Sequence, residues 1–356
     1  MSRFFSSRNA AVEPYTPGEQ PRDMQYIKLN TNESPYPPSP KAAAMAAEAA
    51  ARLQLYSDPQ CRDLNAAAAA HFAVGTDELL FTNGSDEILD YAVRAFCGPE
   101  RGMVCPDITY SFYPVLAAVH RIRYTEIPLT KDFRIRLEDY RGVKGMVLLA
   151  NPNAPTGIAL SRAALEDFIA EDPERLVLVD EAYVDFGGES CLPLIRQYDN
   201  LIVTQTFSKS RSMAGARLGV GFAAKELIAD MNAIKYSSNP YNVNSMTMAA
   251  GIGALLDGEY TRSCIAKIVD TREVFVEKLR EMGYDVLPSS TNFVFAKSPR
   301  LGGQELYRKL RERGILVRHF ETPRLRDYNR ITIGTPGQMD ALLAALRILE
   351  KTEEGK

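Results

Sequence analysis

The sequence predicts an α/β protein: a large domain built on a mainly parallel sheet between helices, with a smaller α+β domain after it. Two patterns carry this. Short apolar runs alternate with longer amphipathic ones through the middle of the chain, as strands joined by crossover helices do. After Gly251 the texture changes to long charged helices interleaved with brief strands. A third observation is length, since 356 residues exceed what one hydrophobic core usually organises. The boundaries read as an N-terminal arm at 1–40 belonging to the small domain, a large domain at 41–252 and a small C-terminal domain at 253–356.

The arm is rich in proline and polar residues and ends in LNTNESPYPPSP, which no helix interior tolerates, so it is expected to lie over another part of the molecule. Helices are expected in KAAAMAAEAAARLQLY and in CRDLNAAAAAHF, because alanine costs a helix least. The alternation then runs ELLFT, SDEILDYAVRAF, GMVCP, TYSFYPVLAAVH, GMVLLANPNAPTG, RAALEDFIAED, RLVLVDEAY and NLIVTQTFSK. Beyond it come the helix TRSCIAKIVDTREVFVEKLREMG, the strands in TNFVFAK, GILVRHF and NRITIGT, and a closing helix, MDALLAALRILEK. There is no internal repeat.

Composition excludes several classes of function. With 42 basic and 45 acidic residues the chain has no electrostatic reason to seek nucleic acid or an anionic membrane. The cysteines, Cys61, Cys97, Cys105, Cys191 and Cys264, are scattered without CxxC pairs and only three histidines accompany them, so neither a disulfide framework nor a metal site is expected. No run approaches the roughly 20 apolar residues of a membrane span, and the chain reads as soluble and cytoplasmic.

The polar residues that interrupt the apolar runs fall just after strands, the edge where ligands gather in parallel sheets. Ser85 and Asp86 follow ELLFT and open a helix, so their backbone N–H groups suit an anion such as phosphate; taken alone, either also reads as an ordinary N-cap. Asp180 is a carboxylate at the tip of the buried strand RLVLVD and needs a cationic or N–H partner. With Glu181 it forms a rival metal pair, but no histidine or second acidic cluster supplies the remaining ligands. Lys209 lies after the next strand in TFSKSRSMAGARLGVG, where Thr206 and Ser208 add hydroxyls and Arg217 a second cation among glycines. A phosphate-bearing aldehyde cofactor uses all these parts. The amine condenses with the aldehyde, the carboxylate keeps a ring nitrogen protonated, and the arginine, hydroxyls and helix terminus hold the phosphate. Pyridoxal 5'-phosphate fits.

Taken together, LNTNESPYPPSP, YSDPQ, FTNGSDE, NPNAPTG, VDEAY, TFSKSRSMAGARLG, NPYNVN and RITIGT resemble the fold-type I pyridoxal-phosphate-dependent aminotransferases of class I/II, and within them the histidinol-phosphate aminotransferase group. The likeness runs in order from Tyr15 to Gly334. It implies that Lys209 binds the aldehyde and then shuttles protons, that Asp180 pairs with the pyridine nitrogen, and that Tyr183 bonds the ring's 3-oxygen. Tyr110 would stack on the ring, although a core position also suits it. Ser85, Asp86, Ser208 and Arg217 would hold the phosphate, with Thr206 beside them and with Tyr56 reaching in from a neighbouring subunit of a homodimer. Arg330 and Arg318 would take the substrate's anionic end, and Tyr15 and Asn32 fall where the arm closes over the substrate. Relatives carry asparagine immediately before Pro-Thr-Gly where this chain has Ala154, so that role passes to Asn153. Arg211 has no partner that the sequence names.

The function so implied is ping-pong transamination in histidine biosynthesis, histidinol phosphate and 2-oxoglutarate giving imidazole acetol phosphate and glutamate. The partners are small amino and keto acids or amino phosphates. Alternatives are a threonine-phosphate decarboxylase, an aromatic amino acid aminotransferase, or a regulator that uses such a domain to sense a ligand. The last is weakened by an arm too short for a winged helix.

Overall fold

A computed structural model describes residues 2–9 and 12–354; Met1, Ala10 and Ala11 of the expected arm, and Gly355 and Lys356 at the other end, lie outside the described residues. The arm does more than lie across the surface. Its end forms a strand, β1 (Ile27–Lys28), which pairs in parallel with Ile315–Leu316 far along the chain. Helix α1 (Pro40–Ala50) then starts where local chemistry dictates: Pro40 takes the first helical position and the Ser39 hydroxyl accepts the Ala42 N–H at 3.0 Å. It stops at Ala50, short of the run of helix formers. Leu53, Leu55 and Tyr56 beyond it are exposed, with no core of this chain to hold them in a further turn. After α2 (Arg62–Phe72) comes the alternation that the sequence led one to expect.

That alternation yields β2 (Leu79–Asn83), α3 (Ser85–Phe96), β3 (Met103–Pro106), α4 (Tyr113–His120), β4 (Tyr124–Ile127), β5 (Met146–Ala150), α5 (Arg162–Ala170), β6 (Val177–Asp180) and β7 (Leu201–Thr206). The sheet order is β2-β8-β7-β6-β5-β3-β4, where β8 is Leu218–Ala223. Strands β4, β3, β5, β6 and β7 are mutually parallel, whereas β8 is antiparallel to both β7 and β2. The reason is the connection. A loop with no crossover helix joins β7 to β8, so the chain reverses on itself, and this loop carries Lys209.

Successive residues of the central strands enter opposite cores. Val147 and Leu149 join Val177, Val179 and Leu201 on one face, while Met146 and Leu148 join Leu178 and Ile202 on the other. Helices cover both faces, α2 and α5 with α7 (Ser245–Leu256) on the first, α3 and α4 with α6 (Lys225–Ser238) on the second. Each fully buried aliphatic side chain contributes about 1.5–3 kcal/mol, which is why these strands read as continuous apolar runs.

A second core surrounds a four-stranded sheet made from β9 (Asp285–Val286), β10 (Phe293–Lys297), β12 (Arg318–His319) and β13 (Tyr328–Thr332), with β11 (Ile315–Leu316) holding the arm. The long charged helix α8 (Gly258–Glu281), α9 (Gly303–Glu312) and α10 (Pro336–Glu354) pack around it. Phe186, from the turn after β6, is buried in this second core and so ties the two sheets together.

Candidate active site

The carboxyl ends of the parallel strands meet the arm and the second sheet around a cavity of about 420 Å³, within the range of about 300–1,000 Å³ occupied by small-molecule sites. Its walls contain Ser85, Asp86, Tyr110, Asp180, Tyr183, Thr206, Ser208, Lys209 and Arg217 from the large sheet's side. Tyr15, Asn32, Arg318 and Arg330 come from the arm and the small sheet. Thirteen residues singled out from sequence therefore share one space.

Lys209 enters it from the loop after β7. Its amine donates to the Thr31 carbonyl at 3.3 Å and stands 5.8 Å from the centre of the Tyr183 ring. Asp180, at the tip of β6, is 5 % exposed, and burial pushes its carboxyl up to about 6 against the pull of the Tyr113 hydroxyl and the Ala182 N–H. Those donors reach its two oxygens at 2.9 and 3.2 Å. Tyr113 itself is held fully protonated by burial and by the carboxylate it faces. It was absent from the sequence reading, and the only signal was its place as the first residue of a helix on the strand-end edge. Tyr183 accepts the Asn32 amide at 2.8 Å, which leaves its own O–H to be directed elsewhere. Asn32 is pinned in turn, in the left-handed region at φ 55, with its N–H on the Thr332 hydroxyl. The structure thus gives Asn32 a role the sequence reading did not, orienting Tyr183.

At the other end, the first turn of α3 presents the Ser85 and Asp86 N–H groups. Two glycines keep that end open. A Cβ on Gly219 would run into the Ser85 backbone nitrogen, and one on Gly84, which sits at φ 82, would strike the Arg217 guanidinium. Arg217 reaches the Asp86 carboxylate at 3.1 Å, and the Tyr110 hydroxyl donates to the other oxygen of that carboxylate at 3.1 Å. Ser208 takes the Thr206 hydroxyl at 3.0 Å. An open helix N-terminus, a cation and hydroxyls in a glycine-kept recess form a donor set for phosphate, and an amine and a buried carboxylate line the same cavity. Pyridoxal 5'-phosphate fits the residues present.

Across the cavity Arg330 lies 5.3 Å from the Phe293 ring centre and 5.7 Å from that of Phe320, with its Nε buried and unpartnered. Burial works against its charge, so an anion is the partner it lacks. Arg318 lies 5.6 Å from the Phe320 ring centre and makes long hydrogen bonds, 3.3 and 3.4 Å, to the Thr16 and Pro17 carbonyls of the arm. Tyr15, carried by the same stretch, sets its ring edge-on to Tyr110 and Phe112.

Two sequence-derived residues are not brought to the cavity. Asn153 is 1 % exposed and its amide is used within the fold, accepting from Thr109 at 2.8 Å and donating to the Ile108 carbonyl at 2.9 Å. Displaced by one position from Ala154, which does line the cavity, it is turned into the loop's own hydrogen bonding. Tyr56 is 86 % exposed outside the cavity and stacks on Tyr241 at 4.8 Å. The neighbouring acids of the DEAY stretch also part company: Glu181 leaves the cavity to Asp180 and bonds Ser190, Cys191 and Gln205.

Comparison with known proteins agrees with this geometry. The sequence profile of aminotransferase class I and II matches residues 24–346. Histidinol-phosphate aminotransferase 1 of Bradyrhizobium diazoefficiens is 46 % identical over 349 residues, covering 98 % of this chain and all of the relative. The histidinol-phosphate aminotransferase of Brachyspira hyodysenteriae is 43 % identical over 353 residues, covering 99 % of this chain and 100 % of the relative. Among solved structures, histidinol-phosphate aminotransferase of Sinorhizobium meliloti in complex with pyridoxal-5'-phosphate superposes with a TM-score of 0.82 at 27 % identity, covering 91 % of this chain and 92 % of that one.

Proposed function

Because the chain belongs to the class I and II aminotransferases, we propose that it binds pyridoxal 5'-phosphate and moves the amino group of histidinol phosphate to 2-oxoglutarate. The observation that carries this is the Lys209 amine, which forms no ion pair among the described residues and shares one cavity with an anion cradle at Ser85, Asp86 and Arg217 and a second cationic end at Arg330 and Arg318. When bound, the cofactor supplies an aldehyde that stores the amino group and a ring that accepts electrons from the substrate's Cα.

The chain's own residues do the rest. Lys209 would take the proton from the substrate's Cα and hold it for return, which its long, weakly held side chain permits. Asp180, kept in place by Tyr113, supplies the counter-charge for a protonated ring nitrogen. Tyr183, oriented by Asn32, aims its hydroxyl at the ring oxygen. Ser208, Arg217 and the N-terminus of α3 would hold the cofactor's phosphate in the cavity that Lys209 lines. Arg330 and Arg318 take the far anion of either substrate, the phosphate of one and the distal carboxylate of the other, because a guanidinium fork bonds two oxygens of each. Tyr15 covers the open side and excludes water.

We infer further that the working unit is a cytoplasmic homodimer in which Tyr56 serves the neighbouring site. Among the described residues no helix is long and apolar enough to cross a membrane.

The test is reconstitution with the cofactor, followed by assay with histidinol phosphate, phenylalanine and phosphothreonine as donors. Glutamate formation fastest from histidinol phosphate is expected, with loss of the yellow colour and a fall of at least about 10²-fold in kcat for Lys209→Ala. Carbon dioxide release from phosphothreonine without glutamate formation would overturn the substrate assignment, and a colourless Lys209→Ala protein of wild-type rate would overturn the mechanism.

A further inference from the structure

The loop that bears Lys209 continues as Ser210-Arg211, and Arg211 is the cation for which the sequence offered no partner. In the structure its guanidinium is buried, 7 % exposed, between two aromatic faces, 4.9 Å from the Phe207 ring centre and 5.4 Å from that of Phe72. A buried guanidinium of this kind is retained only with an acceptor. The acceptor is Asp185, whose Oδ2 lies 3.4 Å from Arg211 Nη1. The Ser210 hydroxyl donates to the same Asp185 oxygen and accepts from Arg211 at 3.3 Å. Asp185 belongs to the short 3-10 turn Val184–Phe186, which begins immediately after Tyr183.

These contacts join two separate pieces of chain that both line the cavity, one with Tyr183 and the other with Lys209. On one side Tyr183 is two residues before Asp185, and on the other Lys209 immediately precedes Ser210. The Lys209 loop is itself tight. The Met213 N–H reaches the Phe207 carbonyl at 3.0 Å, and Ser212 sits in the left-handed region at φ 56. A displacement at Asp185 therefore has little slack in which to dissipate before it reaches the lysine. We propose that Ser210, Arg211 and Asp185 form a brace that fixes the separation of the Lys209 amine from the Tyr183 hydroxyl. All three are positioning residues, since none of them lines the cavity. The inference rests on the reading of that cavity as a pyridoxal-phosphate site.

The test uses holoenzyme and follows the pH midpoint of its visible absorption band, a property set by what surrounds the lysine–cofactor linkage. Melting of the cofactor-free protein is measured in parallel. Arg211→Met, which keeps bulk between the two rings, and Asp185→Asn are each expected to raise the midpoint by about half a pH unit or more, because the phenol no longer meets the linkage squarely. The double variant is expected to shift no further than either single one, as for groups acting through one contact. Arg211→Lys, which keeps the charge, is expected to shift less than Arg211→Met. In a Tyr183→Phe background Arg211→Met is expected to add nothing. Should Arg211→Met fail to fold, Asp185→Asn alters only a partly exposed carboxylate and carries the same comparison. Variants that melt lower but keep the wild-type midpoint would overturn the brace, as would additive single shifts or an undiminished shift in Tyr183→Phe. A wild-type protein that takes up no cofactor would overturn the parent reading, and the brace with it.

Discussion

At the scale of single residues the site turns on how one buried carboxylate is kept useful. Burial, outweighing the hydrogen bonds that oppose it, leaves Asp180 raised to about 6, toward the uncharged form that cannot pair with a protonated ring nitrogen. The Tyr113 hydroxyl, at 2.9 Å, opposes that drift more than any other single group does. Tyr113→Phe removes one donor to a charged, buried acceptor, a loss of about 1.5–3 kcal/mol, and raises the carboxyl further. The expected result is a roughly tenfold or greater fall in kcat/KM at neutral pH, by the same energies, with the acidic limb of the pH–rate profile displaced upward and partial recovery in alkali. A profile superimposable on wild type would remove Tyr113 from the site. Asp180, Lys209 and Arg217 were legible in sequence because each is a charge abutting an apolar strand or a glycine-rich turn. Tyr113 was not, and Asn32 was placed at the site without its orienting role, because both roles depend on where a hydroxyl and an amide point.

At the scale of elements, the turn after β6 does two jobs with adjacent acids. Asp180 faces the cavity, while Glu181 is 2 % exposed among Ser190, Cys191 and Gln205, and burial raises it to about 7 despite all three donors. Its folded-state value lies above the ordinary 4.5, so as pH rises the unfolded chain loses this proton first. The stabilisation is complete below 4.5 and is lost by about pH 7. Glu181→Gln, which no longer titrates, should flatten that slope in urea unfolding of the cofactor-free protein. We expect wild type to lose on the order of 2–3 kcal/mol more than the variant between pH 5 and pH 8. Identical slopes would show that Glu181 is ionised in the folded state. Asp180 contributes the same sign in both proteins and cancels. The strands around this turn were predictable from their apolar runs, but the reversal of β8 was not. Its direction is set by the short loop at Lys209, and an apolar run carries no sign of direction.

At the scale of the whole molecule, α1 ends earlier than its alanines suggest, and the segment that follows it stays largely exposed, Tyr56 resting only on the Tyr241 ring among the aromatic contacts of the described residues. Leu53, Leu55 and Tyr56 are exposed, and a groove lined by Met45, Leu55, Met248 and Ile252 opens beside them. Sequence alone gave the likeness of YSDPQ to a segment that crosses between subunits, and composition gave no warning that the patch would be bare. An apolar face of this kind asks for cover, which a second copy of the chain would supply in the proposed homodimer. The proposed crossing of Tyr56 into the neighbouring site has a consequence for mixed dimers. Lys209→Ala subunits have no amine but still offer Tyr56; Tyr56→Phe subunits keep the amine but lose a hydroxyl on the phosphate, a loss of roughly tenfold in cofactor affinity. Mixing the two under dissociating conditions and restoring assembly should create one intact site per heterodimer. At limiting cofactor, activity should then exceed that of the Tyr56→Phe protein alone. If Tyr56 served its own subunit, every lysine-bearing site in the mixture would still lack the hydroxyl and activity would not rise. A protein that sediments as a monomer with full activity would exclude the crossing altogether.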